Sequence, residues 1–266
     1  MFTDCVKSFF QSIHGLLRGS IREGRRVFET LRKEFARIAR ENGLESEKVQ
    51  VVARPLTPEE AIGRPEGLDY PLLKGKERLM QANLKGTPGQ AFTDMFGEYE
   101  GTISDILRNK LRTNFHRAVF VSTLNAVMNH VGLIDKAVHC KDEEPKRCSL
   151  ELLSYTREKF GHPKIAMVGL QPRMVEALSK AFPLRVTDLD PDNIGKEKFG
   201  IPIEGPNRTR DNLLWCEVAL VTGTTIVNNT IREFLIQKPT IFYGVTISGA
   251  AKILGLSHFC AYGKPM

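Results

Sequence analysis

The chain has no run of the roughly 18 to 20 consecutive apolar residues that a membrane-crossing helix requires, and its longest apolar runs are of strand length. No membrane span is expected. Cysteine is sparse and odd in number, five in 266 residues at positions 5, 140, 148, 216 and 260. That is not the dense, even framework of a small secreted protein, and it points to a reducing, cytoplasmic setting. The N-terminal MFTDCVKSFFQSIHGLLRGS interrupts its apolar residues with Asp4, Lys7 and Gln11, so it lacks the continuous apolar core of a secretory signal. No G-x-S-x-G, Walker A or H-E-x-x-H string is found, which disfavours the familiar hydrolase and kinase mechanisms.

What is there is an ordinary globular composition, 41% hydrophobic and 26% charged, enough chain for one large domain or two modest ones. The net charge is +7, but basic residues are interleaved with acids, as in RKEFARIARENGLESEK. No helix-turn-helix, finger or aromatic RNP pattern accompanies them, so the charge reads as a solvated surface and no nucleic-acid partner is expected.

Along the chain, Phe28, Leu31, Phe35 and Ile38 recur at helical spacing until Asn42 and Gly43 stop the helix. An earlier amphipathic segment carries Phe9, Phe10, Ile13 and Leu17. Residues 49–100 read as a small α+β unit with strands at VQVVA, RLMQANL and QAFTD, and with Gly86, Pro88 and Gly89 in a turn. Residues 113–134 are apolar on more than one face and predict a buried helix between the two parts of the molecule. From 164 onward, KIAMVGL, LRVTDLD, EVALVTG and PTIFYGV alternate with helix-length stretches, the pattern of a Rossmann-like parallel sheet. The expected fold class is therefore α/β, with a Rossmann-like domain over 112–266. A smaller α+β domain with a helical N-terminal segment precedes it over 1–111.

In such sheets the ligand crevice lies beyond the carboxyl ends of the strands. This selects Gly169 and Gln171 after the first strand, Asp188 and Asp190 after the second, Thr222, Gly223, Thr224 and Thr225 after the third, and Tyr243, Gly244 and Thr246 after the fourth. The first turn reads G-L-Q-P rather than G-x-G-x-x-G, which disfavours ordinary nicotinamide binding. Asp188 and Asp190 occupy the place of a ribose-binding carboxylate. The segment TGTTIVNNT, with Asn228, would lead from strand to helix as an anion site, or Thr224 or Thr225 would simply cap that helix. Across the junction, Lys74, Lys76, Glu77, Thr93 and Asp94 could reach the same crevice. His139, Cys140 and Cys148 combine imidazole and thiolate, donors suited to a transition metal, with His258 or Cys260 available as a fourth ligand. Isolated cysteines acting as small hydrophobes are the plainer alternative.

Taken in order, GQAFTD, TLNAV, VHCKDEEP, VTDLDPDNIG, LVTGTTIVNNT and FYGVTISGAA resemble a prokaryotic family of unknown function whose domain is described as "putative heavy-metal chelation". The resemblance spans most of residues 69–263. It implies an enolase N-terminal-like domain joined to the Rossmann-like one, with a cleft between them. It turns the expectation toward a transition metal, or a small metal-chelating molecule, in that cleft. His139, Cys140, Cys148 and Cys260 would be the metal ligands, and Thr224, Thr225, Asp188 and Asp190 would hold the organic part. The alternative is an enzyme using a nucleotide or an adenosine-containing cofactor such as S-adenosylmethionine at the strand ends. Base rates alone leave room for a homodimer through the N-terminal helices.

Overall fold

A computed structural model describes residues 27–52, 58–64 and 77–265. The first amphipathic segment with Phe9, Phe10, Ile13 and Leu17 lies outside the described residues, as do Cys5, Lys74 and Lys76.

Helix α1 covers residues 27–41 and buries Leu31, Phe35, Ile38 and Ala39 on one face. It ends where expected: Asn42 Nδ2 donates to the Ile38 carbonyl at 2.8 Å, and Gly43 takes φ +66° to turn the chain. Strands β1 (Lys48–Val52), β2 (Arg78–Leu84), β3 (Thr87–Thr93) and β4 (Glu98–Thr102) form an antiparallel sheet in the order β3-β2-β1-β4. A short helix, α2 (Pro58–Ile62), follows β1. The β2–β3 hairpin turns at Lys85 and Gly86, both with positive φ, as a two-residue hairpin loop requires. Gly89 is thus not the turn residue its sequence neighbours suggest. It lies within β3, where a Cβ would come 2.1 Å from the Ala126 amide nitrogen and 2.4 Å from the Ser122 carbonyl. Only glycine lets the next long helix approach so closely.

That helix, α4 (Asn114–His130), follows the capped turn of α3 (Ile103–Arg108). It is buried without a break from Arg117 to Met128, because it is sandwiched between the antiparallel sheet and a second, larger one. Phe120 receives the rings of Phe28 and Phe35 edge-on at 6.2 and 5.5 Å.

The larger sheet contains β5 (Ile165–Val168), β6 (Leu184–Thr187), β7 (Glu197–Lys198), β8 (Ile201–Glu204), β9 (Val218–Thr222), β10 (Thr240–Tyr243) and β11 (Ser257–Phe259). Their order is β11-β10-β9-β5-β6-β8-β7, parallel throughout except β7. Helices α5 (Glu144–Phe160), α6 (Pro172–Ser179), α7 (Thr209–Trp215) and α8 (Ser248–Leu254) accompany it. Residues alternate between its faces. Ala166, Ala219, Val221 and Phe242 join the core around α4, while Ile165, Met167, Leu220 and Ile241 join a second core with Leu152 of α5 and Val175 of α6. Burial on both faces explains the near-continuous apolar runs. The fold class is α/β. Among the described residues, no helix is long and apolar enough to cross a membrane.

Candidate functional site

From β5 the chain moves through α6 to β6 on one side, and later returns to β9 on the other. The strand order therefore reverses between β5 and β9, where an open parallel sheet leaves a crevice. A cavity of about 440 Å³ lies there.

Its floor is the turn after β5. Gly169 adopts φ +90°, and a Cβ on it would meet Thr222 Cγ2 at 2.7 Å and Tyr243 Oη at 3.1 Å. Tyr243 Oη donates to the carbonyls of Val168 and Gly169 at 3.0 and 2.8 Å, and burial holds the phenol far above its ordinary pKa. Asp188 accepts from the Leu170 amide at 2.6 Å, the Asp190 amide at 2.7 Å and Asn193 Nδ2 at 3.3 Å. The carboxylate expected to meet a ribose is thus largely occupied in shaping two turns. Gln171 is similarly engaged, accepting from the Met174 amide at 2.6 Å to cap α6. Asp190 receives the Asp192 amide at 2.9 Å.

The threonine segment differs from expectation. No helix begins there: Gly223–Thr225 is a single 3₁₀ turn, and its cap is Thr222, whose Oγ1 accepts from the Thr224 amide at 3.4 Å. The Thr225 hydroxyl donates to the Thr222 carbonyl at 2.8 Å. A three-residue turn offers no aligned row of free amides, so the helix start expected at TGTTIVNNT is replaced by this turn. The hydroxyls of Thr222 and Thr224, 3.1 Å apart, remain at the cavity surface.

The antiparallel sheet supplies the opposite side through Glu77, Thr93 and Asp94. Asn125 of α4 fastens the two sheets together: its Nδ2 donates to the carbonyls of Gln90, Val245 and Thr246 at 2.9, 3.2 and 3.2 Å, and its Oδ1 accepts from the Gly249 amide at 2.9 Å. The Thr246 hydroxyl accepts from the Phe92 amide at 3.0 Å. Asn114 donates to Asp94 at 2.7 Å and to Asn228 at 3.3 Å. Sequence reasoning did not single out Asn125. A polar residue in the middle of an apolar helical pattern was the available signal. Glu77, just before β2, is half-buried as a residue, with its carboxyl deep among protein atoms. Burial, followed by the carboxylates of Asp188, Asp94 and Asp190, raises it to about 7.

His139, Cys140, Cys148 and Cys260 line a further part of the same cavity. The C-terminus reaches it because residue 264 pairs with Val138 in an isolated antiparallel bridge. Cys140 and Cys148 are buried. Burial, and then the neighbouring cysteines, pushes the Cys140 thiol well above its ordinary range, while Cys260 is raised to about 12 by the same causes. Burial also raises Cys148. The His139 ring packs edge-on against Phe92 at 5.1 Å. His258 points elsewhere, with Nε2 2.9 Å from the Gly244 carbonyl. Among the described residues, no group of three His, Cys, Asp or Glu side chains is arranged to hold a metal ion. Without such a group, these donors do not fit a bare resident metal.

All the strand-end residues selected above also border this cavity: Gly169, Gln171, Asp188, Asp190, Thr222 to Thr225, Asn228, Tyr243, Gly244 and Thr246.

Residues 151–255 match the model of DUF364, a family described as "Putative heavy-metal chelation". No curated protein matches the chain. Among solved structures, a DUF364-family protein of unknown function from Pyrococcus horikoshii is similar at a TM-score of 0.50 and 15% identity, over 83% of this chain and 79% of that one. Another, from Desulfitobacterium hafniense DCB-2, gives 0.45 and 12% over 66% and 72%. At such identities the likeness to the Pyrococcus protein speaks for the fold alone. By its matching segment and its fold, the chain is similar to the DUF364 proteins, whose function is unknown.

Proposed function

We propose that this protein binds a small organic ligand, in the first place one that carries a metal ion as a chelate, in the cavity between its two sheets. One observation carries the reading: about 440 Å³ of space, a size suited to a small molecule, lies at the reversal of strand order and is bounded by turns from both sheets. The family description favours a metal. Among the described residues no three-donor group is arranged for a bare ion, which favours a metal that arrives with its own ligands. With the chain divided at 111/112, as we propose, the ligand would touch both parts. Thr222 and Thr224 would offer hydroxyls to its organic portion, and Cys140, Cys148 and Cys260 would give it a neutral, polarisable surface. The reading with an adenosine-containing cofactor is the weaker one, because Asp188 is already engaged by backbone amides.

Native mass spectrometry with elemental analysis, on protein purified without chelators, tests this. Retained metal should come with an organic mass, should persist in Cys140→Ala/Cys148→Ala, and should be lost in Thr224→Trp, which fills the cavity. Bare metal retained by the native protein and lost in the double cysteine variant would refute the reading.

A further inference from the structure

Among the described residues that border the cavity, Glu77 is a half-buried carboxyl that the fold leaves unused, whereas Glu233 is exposed. Among the described residues, the Glu77 carboxyl accepts no hydrogen bond and faces no cation, although it lies deep among protein atoms and borders the cavity. Among the described residues, its ionisable neighbours are the carboxyls of Asp94, just after β3, and of Asp188 and Asp190, beyond β6. Both of the latter, and Asp94, spend oxygens on protein donors. Glu77 spends none. An unpaired, half-buried carboxylate that opens into a cavity beside other carboxylates is unfavourable until a positive charge joins it.

We propose that Glu77 and Asp94, facing Asp188 and Asp190, form a subsite for a positively charged group of the ligand that presents its own N–H or O–H donors. The inference rests on the cavity reading above and adds the charge of the ligand. An organic ammonium or the outer shell of a chelated metal has this chemistry. Because Glu77 is half protonated near pH 7, a cation arriving there should expel about half a proton per site, by linkage.

Isothermal titration calorimetry of the full chain, at pH 7 in two buffers of unlike ionisation enthalpy, tests the subsite with hexamminecobalt(III), whose ammine shell does not exchange, and with 1,4-diaminobutane. One saturable site with release of about half a proton is expected for at least one probe. Binding of the cobalt complex alone would assign the subsite to a chelated metal, and binding of the diamine alone to an organic ammonium. Glu77→Gln should weaken binding about tenfold or more and abolish proton release, and Asp94→Asn should weaken it less. Since Glu77→Gln keeps the side-chain volume and removes a buried charge, its melting temperature should not fall below that of the native chain, which separates lost binding from lost folding. Absence of binding by both probes, or equal binding by Glu77→Gln without altered proton release, overturns the inference. A neutral organic molecule carried by native protein and Glu77→Gln alike, but not by Thr224→Trp, would overturn the cation subsite and leave the cavity reading standing.

Discussion

Burial raises the acids on both sides of one cavity, but the consequence near neutral pH differs between the sides. The side formed by Cys140, Cys148 and Cys260 holds groups that are neutral in water at pH 7 and that burial makes more firmly neutral. The side formed by Glu77, Asp94, Asp188 and Asp190 holds carboxyls, and there burial brings one of them, Glu77, to the edge of ionisation. By residue type alone the cysteine side looks like the chemical one. By electrostatics the carboxyl side is where a change of charge, and therefore recognition of a charged ligand, can occur near neutral pH.

The comparison breaks most severely if the two sides come apart. Asn125→Ala would strip three carbonyls and the Gly249 amide of their shared partner in a buried site, and should cost about 4 kcal/mol in denaturant unfolding. Glu77→Gln should act in the opposite direction. The carboxyl titrates near 7 in the fold against an ordinary value of 4.5, so its contribution is fully present below pH 4.5 and is lost as pH rises to 7. Relative to the native chain, the glutamine variant should therefore gain stability from about pH 4.5 upward, levelling above pH 7 at up to ~3 kcal/mol. Asp188→Ala leaves the Leu170 and Asp190 amides without their acceptor, and about 2 kcal/mol should be lost. Its effect should be visible as faster hydrogen exchange at those two amides. The smallest change is expected on the thiol side: Cys148→Ala removes one buried sulfur and should cost about 1 kcal/mol, with no dependence on pH between 5 and 8. A pH-dependent loss in that variant would show that a thiolate forms there after all.

The parts of this design that were legible in the sequence are those governed by apolar periodicity. Runs such as IAMV and VALVT announce parallel strands because both sheet faces are buried, and the two-faced apolar pattern of 113–134 announces the helix between sheets. The strand-end rule then picked residues that border a single cavity, since a reversal of strand order depends on topology rather than on side-chain detail. What stayed hidden depends on contacts between segments far apart in the chain. Gly89 looks like a turn residue until α4 lies against it. Asp188 looks free until the Leu170 amide claims it, and Thr224 looks like a helix start until the chain closes after one 3₁₀ turn. The cysteines show their donor type but not the burial that keeps them protonated.

In this proposal the carboxyl side, through Glu77, sets the charge chemistry of the cavity. Carbon-13 NMR titration of the glutamate carboxyls, with Glu77→Gln to assign the resonance, measures it most directly. One glutamate should titrate with a midpoint near 7 and be missing from the variant. A Glu77 midpoint below 5 would mean that the carboxyl is already solvated or paired in the free protein, and would rule out Glu77 as the charge-setting group.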